Sequence, residues 1–128
     1  MAHRKILRHI FKFHGIFESL KFATRGIIYL FLYHRNMRII FLLGVTAVLA
    51  GFAFQLNAIE VVALSITVAL VFMAEIFNTA IEMLMNMLTV RYHIRIKLVK
   101  DIAAGVVLVT ALNALAIGYI LFGRKIHF

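Results

Sequence analysis

The chain has 128 residues, is 64% hydrophobic and 15% charged, and carries a formal net charge of +9. A soluble domain is normally about 45–50% apolar and about 25% charged, so both departures point toward a membrane. The absence of cysteine excludes a disulfide scaffold, a Cys-ligated zinc site, an iron–sulfur cluster and a thiol nucleophile. The apolar content excludes disorder, and the length allows a single domain, residues 1–128.

Residues 3–33 come first and differ from the rest. Ile6, Leu7, Ile10, Phe13, Phe17 and Leu20 recur at helical spacing, with Arg4, Arg8, Lys12, Lys21 and Arg25 among them. This pattern predicts an amphipathic helix lying in the membrane surface, basic face toward anionic headgroups. Gly15 marks a possible break in it. A signal peptide is the rival reading, but it needs an unbroken apolar stretch after a basic start, and here charges recur through Lys21.

Charge-free runs then locate three membrane helices. Ile39–Ile59 and Ile102–Phe122 are each 21 residues without a charge, matching the roughly 20 needed to span a bilayer core. Between them, Glu60–Val90 is apolar but interrupted by Glu75 and Glu82, which predicts a long helix that crosses the core and runs out past its surface. The expected architecture is all-α: a surface helix followed by membrane helices over 37–55, 60–88 and 100–122. Eight of the 14 basic residues precede the first span, and Arg91, Arg95, Lys97 and Lys100 lie around the second connection. By the positive-inside rule this puts the N-terminus and the second connection on the cytoplasmic side of a bacterial cytoplasmic membrane. Three spans also argue for lipid rather than nucleic acid as the partner of the basic charge.

The five acids carry the most information. Glu18 and Glu60 read as surface residues at helix ends, whereas Glu75 and Glu82 lie within a span, where an unpaired charge is costly and usually functional. Glu75, Asn78, Thr79, Glu82 and Asn86 fall at helical spacing and form one polar stripe. Glu75 and Glu82 are two turns apart, about 10.5 Å. An oxygen-only set of Glu and Asn suits a hard cation such as Mg²⁺. The competing reading is a structural polar seam, with Arg95, Lys97 or Lys100 neutralising the acids. Asp101 is read first as the N-cap of the last span and second as a partner of the stripe. Common nucleotide-binding loops and hydrolase or metalloprotease motifs are absent. The six histidines show no metal spacing, and Met83, Met85 and Met87 read as packing residues.

The segment Ala74-Glu75-Ile76-Phe77-Asn78-Thr79-Ala80-Ile81-Glu82 resembles the signature E-x-x-N-[ST]-A-x-E of the prokaryotic diacylglycerol kinase family, which includes the undecaprenol kinases of Gram-positive bacteria. Lys100-Asp101, 19 residues beyond Glu82 at the aspartate, resembles the family's K-D pair. Tyr92-His93, Gly26 and Arg35-Asn36-Met37-Arg38 resemble further family elements, and the likeness covers roughly residues 19–122.

The resemblance implies an integral-membrane lipid kinase that transfers the γ-phosphoryl group of ATP to the hydroxyl of diacylglycerol or undecaprenol, works with Mg²⁺ and assembles as a homotrimer with shared active sites. It implies that Glu75 is the catalytic base or orienting group. It places Glu82, Asn78 and His34 at metal positions, and Glu82, Asn86, Lys100 and Asp101 at nucleotide positions. Two positions depart from the family pattern, with His34 and Asn86 standing where acids are usual. Those departures leave an alternative function, a catalytically impaired scaffold or partner subunit. A small ion transporter lined by Glu75 and Glu82 is a third.

Overall fold

The computed structural model describes residues 2–88 and 94–126, with the backbone alone over 2–14. It is helical throughout: α1 (Ala2–Tyr33), α2 (Arg35–Ala53), α3 (Ala58–Leu88) and α4 (Ile94–Ile126), with no strand among the described residues. The protein is an all-α membrane protein, with an N-terminal helix and three transmembrane helices. The chain divides into two compact units, Met1–Arg35 and Asn36–Phe128.

In the first unit, α1 runs unbroken through Gly15, so the expected break there does not occur. Glycine lowers helix propensity by about 1 kcal/mol but still supplies both backbone hydrogen-bonding groups, so its neighbours carry the helix across it. Near the end of this unit the His34 N–H donates to the Leu30 carbonyl at 2.9 Å.

In the second unit, α2, α3 and α4 have 19, 31 and 33 residues. At 1.5 Å per residue these are about 28, 46 and 50 Å long, against a hydrocarbon core of about 30 Å. Only 17%, 22% and 6% of their most apolar windows are buried within the chain. Helices of this length and hydropathy are suited to cross a membrane, and the chain itself leaves most of their apolar surface uncovered. Their hydroxyls avoid a desolvation cost by bonding back to the same helix: Thr46 donates to the Leu42 carbonyl at 2.7 Å, and Thr67 to the Ala63 carbonyl at 2.7 Å.

The turn between α2 and α3 is specified on both sides. Gln55 has φ 56°, in the left-handed region, and the Leu56 and Gln55 N–H groups donate to the Gly51 and Phe52 carbonyls, each at 3.1 Å. This pair of bonds is a Schellman C-cap with glutamine where glycine is usual. On the other side, Asn57 Oδ1 accepts from the Glu60 N–H at 2.9 Å, and Glu60 Oε1 accepts from the Asn57 N–H at 3.4 Å. That is a capping box, and it gives Glu60 its reason to stand at the start of α3.

Two glycines bring α2 close to α3. A Cβ on Gly44 would lie 3.0 Å from Val68 Cγ1, and one on Gly51 would lie 3.0 Å from Leu64 Cδ2. Small residues that let backbones approach are the ordinary means of joining membrane helices, because lipid supplies no hydrophobic drive between them. Phe54 and Phe122 meet edge-on at a centroid distance of 5.5 Å and close the same end of the bundle.

α4 begins at Ile94, six residues before the expected start at residue 100. Asp101 therefore lies within the helix and is not its N-cap. Within these first turns Lys97 Nζ meets Asp101 Oδ2 at 2.8 Å, one turn apart, so the aspartate is paired along the helix face and does not cap its start.

A buried carboxylate on a polar helix face

α3 is the element that positions the site. Its face from Glu75 to Asn86 carries the polar stripe, and burial changes along it. Glu75 and Thr79 are buried, at 5% and 4% exposure, and Asn78 is half-buried. Glu82 and Asn86, further toward the end of the helix, are exposed. The stripe is thus a ramp from a protein-enclosed carboxylate to an accessible one over about 10.5 Å.

Thr79 supports the buried end. Its hydroxyl donates to Glu75 Oε1 at 3.5 Å, one helical turn away. Thr79 was part of the stripe in the sequence but had no assigned role there. The i, i+4 spacing to Glu75 was the available signal. The Asn78 amide oxygen, on the same face, is buried and has no hydrogen-bond partner among the described residues. A buried amide oxygen left unpaired costs about 1–3 kcal/mol, so this oxygen is an acceptor still open on the stripe.

The accessible end is tied to α4. Lys100 Nζ donates to Asn86 Oδ1 at 2.6 Å. Lys97, expected from the sequence as one of three cations that could neutralise the acids, pairs with Asp101: its ammonium holds that carboxylate at 2.8 Å. Both partners of that pair are more than half exposed, so it orients the side chains more than it stabilises the fold. α3 and α4 therefore bring Asn86 and Lys100 together and put Lys97 and Asp101 on the turn beside them. His34 belongs to the other unit, where its ring stands 6.0 Å from the Tyr29 ring. Tyr92 and His93 lie outside the described residues.

Among the described residues, no three acidic or histidine side chains converge as a ready-made metal cage. Magnesium does not require one. It is usually held by one or two carboxylates together with substrate phosphates, and it keeps several waters. Glu82, with the orphaned Asn78 oxygen one turn before it, fits that mode. Glu75 is the further carboxylate on the same face.

This is a transmembrane helical protein in which a buried carboxylate leads along one helix face to an oxygen- and lysine-bearing edge. Residues 21–122 match the model of the prokaryotic diacylglycerol kinase family, and the chain belongs to that family. Two curated relatives bear this out. The chain is 39% identical over 106 residues to a diacylglycerol kinase of Synechocystis sp., covering 81% of this chain and 60% of that protein. It is 32% identical over 110 residues to the undecaprenol kinase of Bacillus subtilis, covering 86% of this chain and 89% of that one. The chain thus spans less than two thirds of the Synechocystis protein and nearly all of the Bacillus one.

Proposed function

We propose that this protein is a lipid kinase that transfers the γ-phosphoryl group of ATP to the hydroxyl of a membrane lipid alcohol, diacylglycerol or undecaprenol, at the cytoplasmic face. The observation that carries the reading is the stripe's burial ramp, with the Asn78 oxygen, unpaired among the described residues, between a buried Glu75 and an exposed Glu82. A lipid hydroxyl arrives from the membrane side and a triphosphate from water, and this face reaches toward both.

Glu75 is the acceptor for the hydroxyl proton. As the lipid oxygen bonds to the γ-phosphorus, the O–H proton passes to the Glu75 carboxylate and ADP leaves with the electron pair of the broken P–O bond. Thr79 holds one Glu75 oxygen in a fixed direction, which keeps the carboxylate aimed along the stripe. Burial excludes water from that carboxylate and so disfavours ATP hydrolysis in place of transfer.

Glu82 and Asn78 would hold Mg²⁺, which when bound spreads the negative charge of the phosphates. Lys100 supplies positive charge for the phosphates from α4, and Asn86 keeps its ammonium at the edge of α3. Asp101, held by Lys97, orients that edge. The basic residues around the second connection raise the local concentration of nucleotide. Phosphoryl transfer asks little more of a protein than positioning and charge stabilisation, which these groups provide. In a homotrimer a neighbouring chain would cover the exposed Glu82 and complete the nucleotide side.

The test is transfer of label from γ-³²P-ATP. Purified protein in mixed micelles, with Mg²⁺ and either diacylglycerol or undecaprenol, should give a labelled lipid phosphate. No product from either alcohol, with the Bacillus relative active in parallel, rejects the reading.

A further inference from the structure

A cavity of about 410 Å³ lies between α2, α3 and α4. Its size is that of a ligand pocket, and sites between the helices of a bundle are common. No ionisable side chain lines it, and its one hydroxyl, on Thr67, is already bonded to the Ala63 carbonyl. A cavity with no open polar group stays dry and accepts only apolar matter.

Its position relative to Glu75 is set by helical register. On α3 the lining residues Leu64, Val68 and Val71 precede Glu75 by eleven, seven and four positions. They are the apolar continuation of the face that carries Glu75, Asn78 and Glu82. On α4 the Lys100–Asn86 bond fixes the level. Eleven residues on from Lys100 is Ala111 and eleven before Asn86 is Glu75, so Ala111, which lines the cavity, stands at the level of Glu75. On α2 the approaches of Gly51 to Leu64 and of Gly44 to Val68 and Phe72 put Ile40, another lining residue, within about a turn of the same level. The far end is at Gly118 and Phe122, the latter level with Leu64. On α4 the lining runs from Val107, level with Thr79, to Phe122, so the cavity extends about 22 Å, from a turn beyond the Glu75 level toward the opposite end of the bundle.

We propose that this cavity holds a hydrocarbon tail of the lipid alcohol whose hydroxyl meets Glu75, and that Ala111, Ala114 and Gly118 set the length of tail it takes. The proposal rests on the lipid-kinase reading for the identity of the head. The match is amphiphilic: one helix face is apolar up to Val71 and polar from Glu75 onward, which is the pattern of a lipid alcohol laid along it. Small side chains make the room. A Cβ on Gly118 would meet nothing within 4 Å, so a larger residue there grows into the cavity and shortens it without displacing a neighbour.

Two measurements on the full chain in lipid–detergent micelles test this. In the first, a diacylglycerol with a diazirine at the end of one acyl chain is photolysed with the wild-type protein and the adducts are mapped by mass spectrometry. Adducts on the Ala114–Phe122 turns or on Leu64–Val68 support the proposal, and adducts confined to the outer faces of the helices overturn it. In the second, Gly118→Leu is assayed with dioleoylglycerol and with dihexanoylglycerol. The expected result is at least a tenfold loss of kcat/KM for the long-chain alcohol with the short-chain value within twofold of wild type. An equal effect on both, or on neither, overturns it. If no alcohol is phosphorylated by the wild type while the adducts still map to the cavity, the kinase reading fails and the tail site stands. If adducts are absent and a cysteine introduced as Gly118→Cys cross-links to a second copy of the chain, the cavity is a protein contact and the tail site is overturned.

Discussion

Lys100 and Asn86, fourteen residues apart in the chain, are joined across α3 and α4 by a 2.6 Å hydrogen bond. The bond holds the lysine of the K-D pair at the accessible end of the stripe, the place proposed for the nucleotide phosphates. Lys100→Met should lower kcat/KM for ATP about 10²-fold or more while leaving the lipid KM within about twofold, as expected for loss of one preorganised donor to developing charge. Steady-state kinetics with each substrate varied in turn separates the two effects. Asn86→Asp would turn the bond into a charge-assisted pair and add a carboxylate near Glu82. The Mg²⁺ concentration for half-maximal rate should fall.

The Asn78 oxygen supports a prediction with opposite signs in stability and activity. Asn78→Ala removes a buried group that lacks a partner among the described residues. Without magnesium and nucleotide, the variant should unfold in detergent at a temperature no lower than wild type, because no hydrogen bond is lost. Its kinase rate should fall about 10- to 100-fold, and Mg-ATP should raise its unfolding temperature less than it raises that of wild type. Circular dichroism melts with and without Mg-ATP check both halves.

At the buried end, Glu75→Gln keeps the shape and removes the carboxylate proposed as the proton acceptor. It should cost about 10²–10⁴ in kcat, the range of general-base contributions. Thr79→Val should cost much less, roughly tenfold, because it removes only the 3.5 Å bond that directs the carboxylate. A Thr79→Ser variant that recovers the lost rate would assign the effect to the hydroxyl.

The two contact glycines of α2 should differ. Gly44→Ala sets a Cβ 3.0 Å from Val68 Cγ1, and valine in a helix is confined to essentially one rotamer. It should destabilise the bundle by about 1–3 kcal/mol. Gly51→Ala meets Leu64 Cδ2 and Leu56 Cδ1, the ends of side chains that can turn aside, and should cost less. Chemical denaturation in mixed micelles gives the ranking, and an equal loss at both positions contradicts it.

Legibility divides along a physical line. Whatever depends on the chain's own periodicity was readable from residues alone: four helices, three of them membrane spans, and the placing of Glu75, Asn78, Glu82 and Asn86 on one face, because 3.6 residues per turn leaves no other arrangement. The signature around Glu75 likewise carries the family likeness in the residues themselves. Pattern was less informative about helix ends. Asp101 reads as a cap because it follows a basic stretch and precedes a charge-free one, yet α4 already runs from Ile94 and the aspartate pairs with Lys97 inside it.

Burial and partnership needed the tertiary structure. Glu75 and Glu82 are the same residue type on the same stripe, and only packing makes one enclosed and the other accessible. The Lys100–Asn86 bond and the cavity that reaches the Glu75 level depend on how far α4 slides along α3 and how closely Gly44 and Gly51 let α2 approach. Those are distances between helices, and a periodic pattern within one helix carries no term for them.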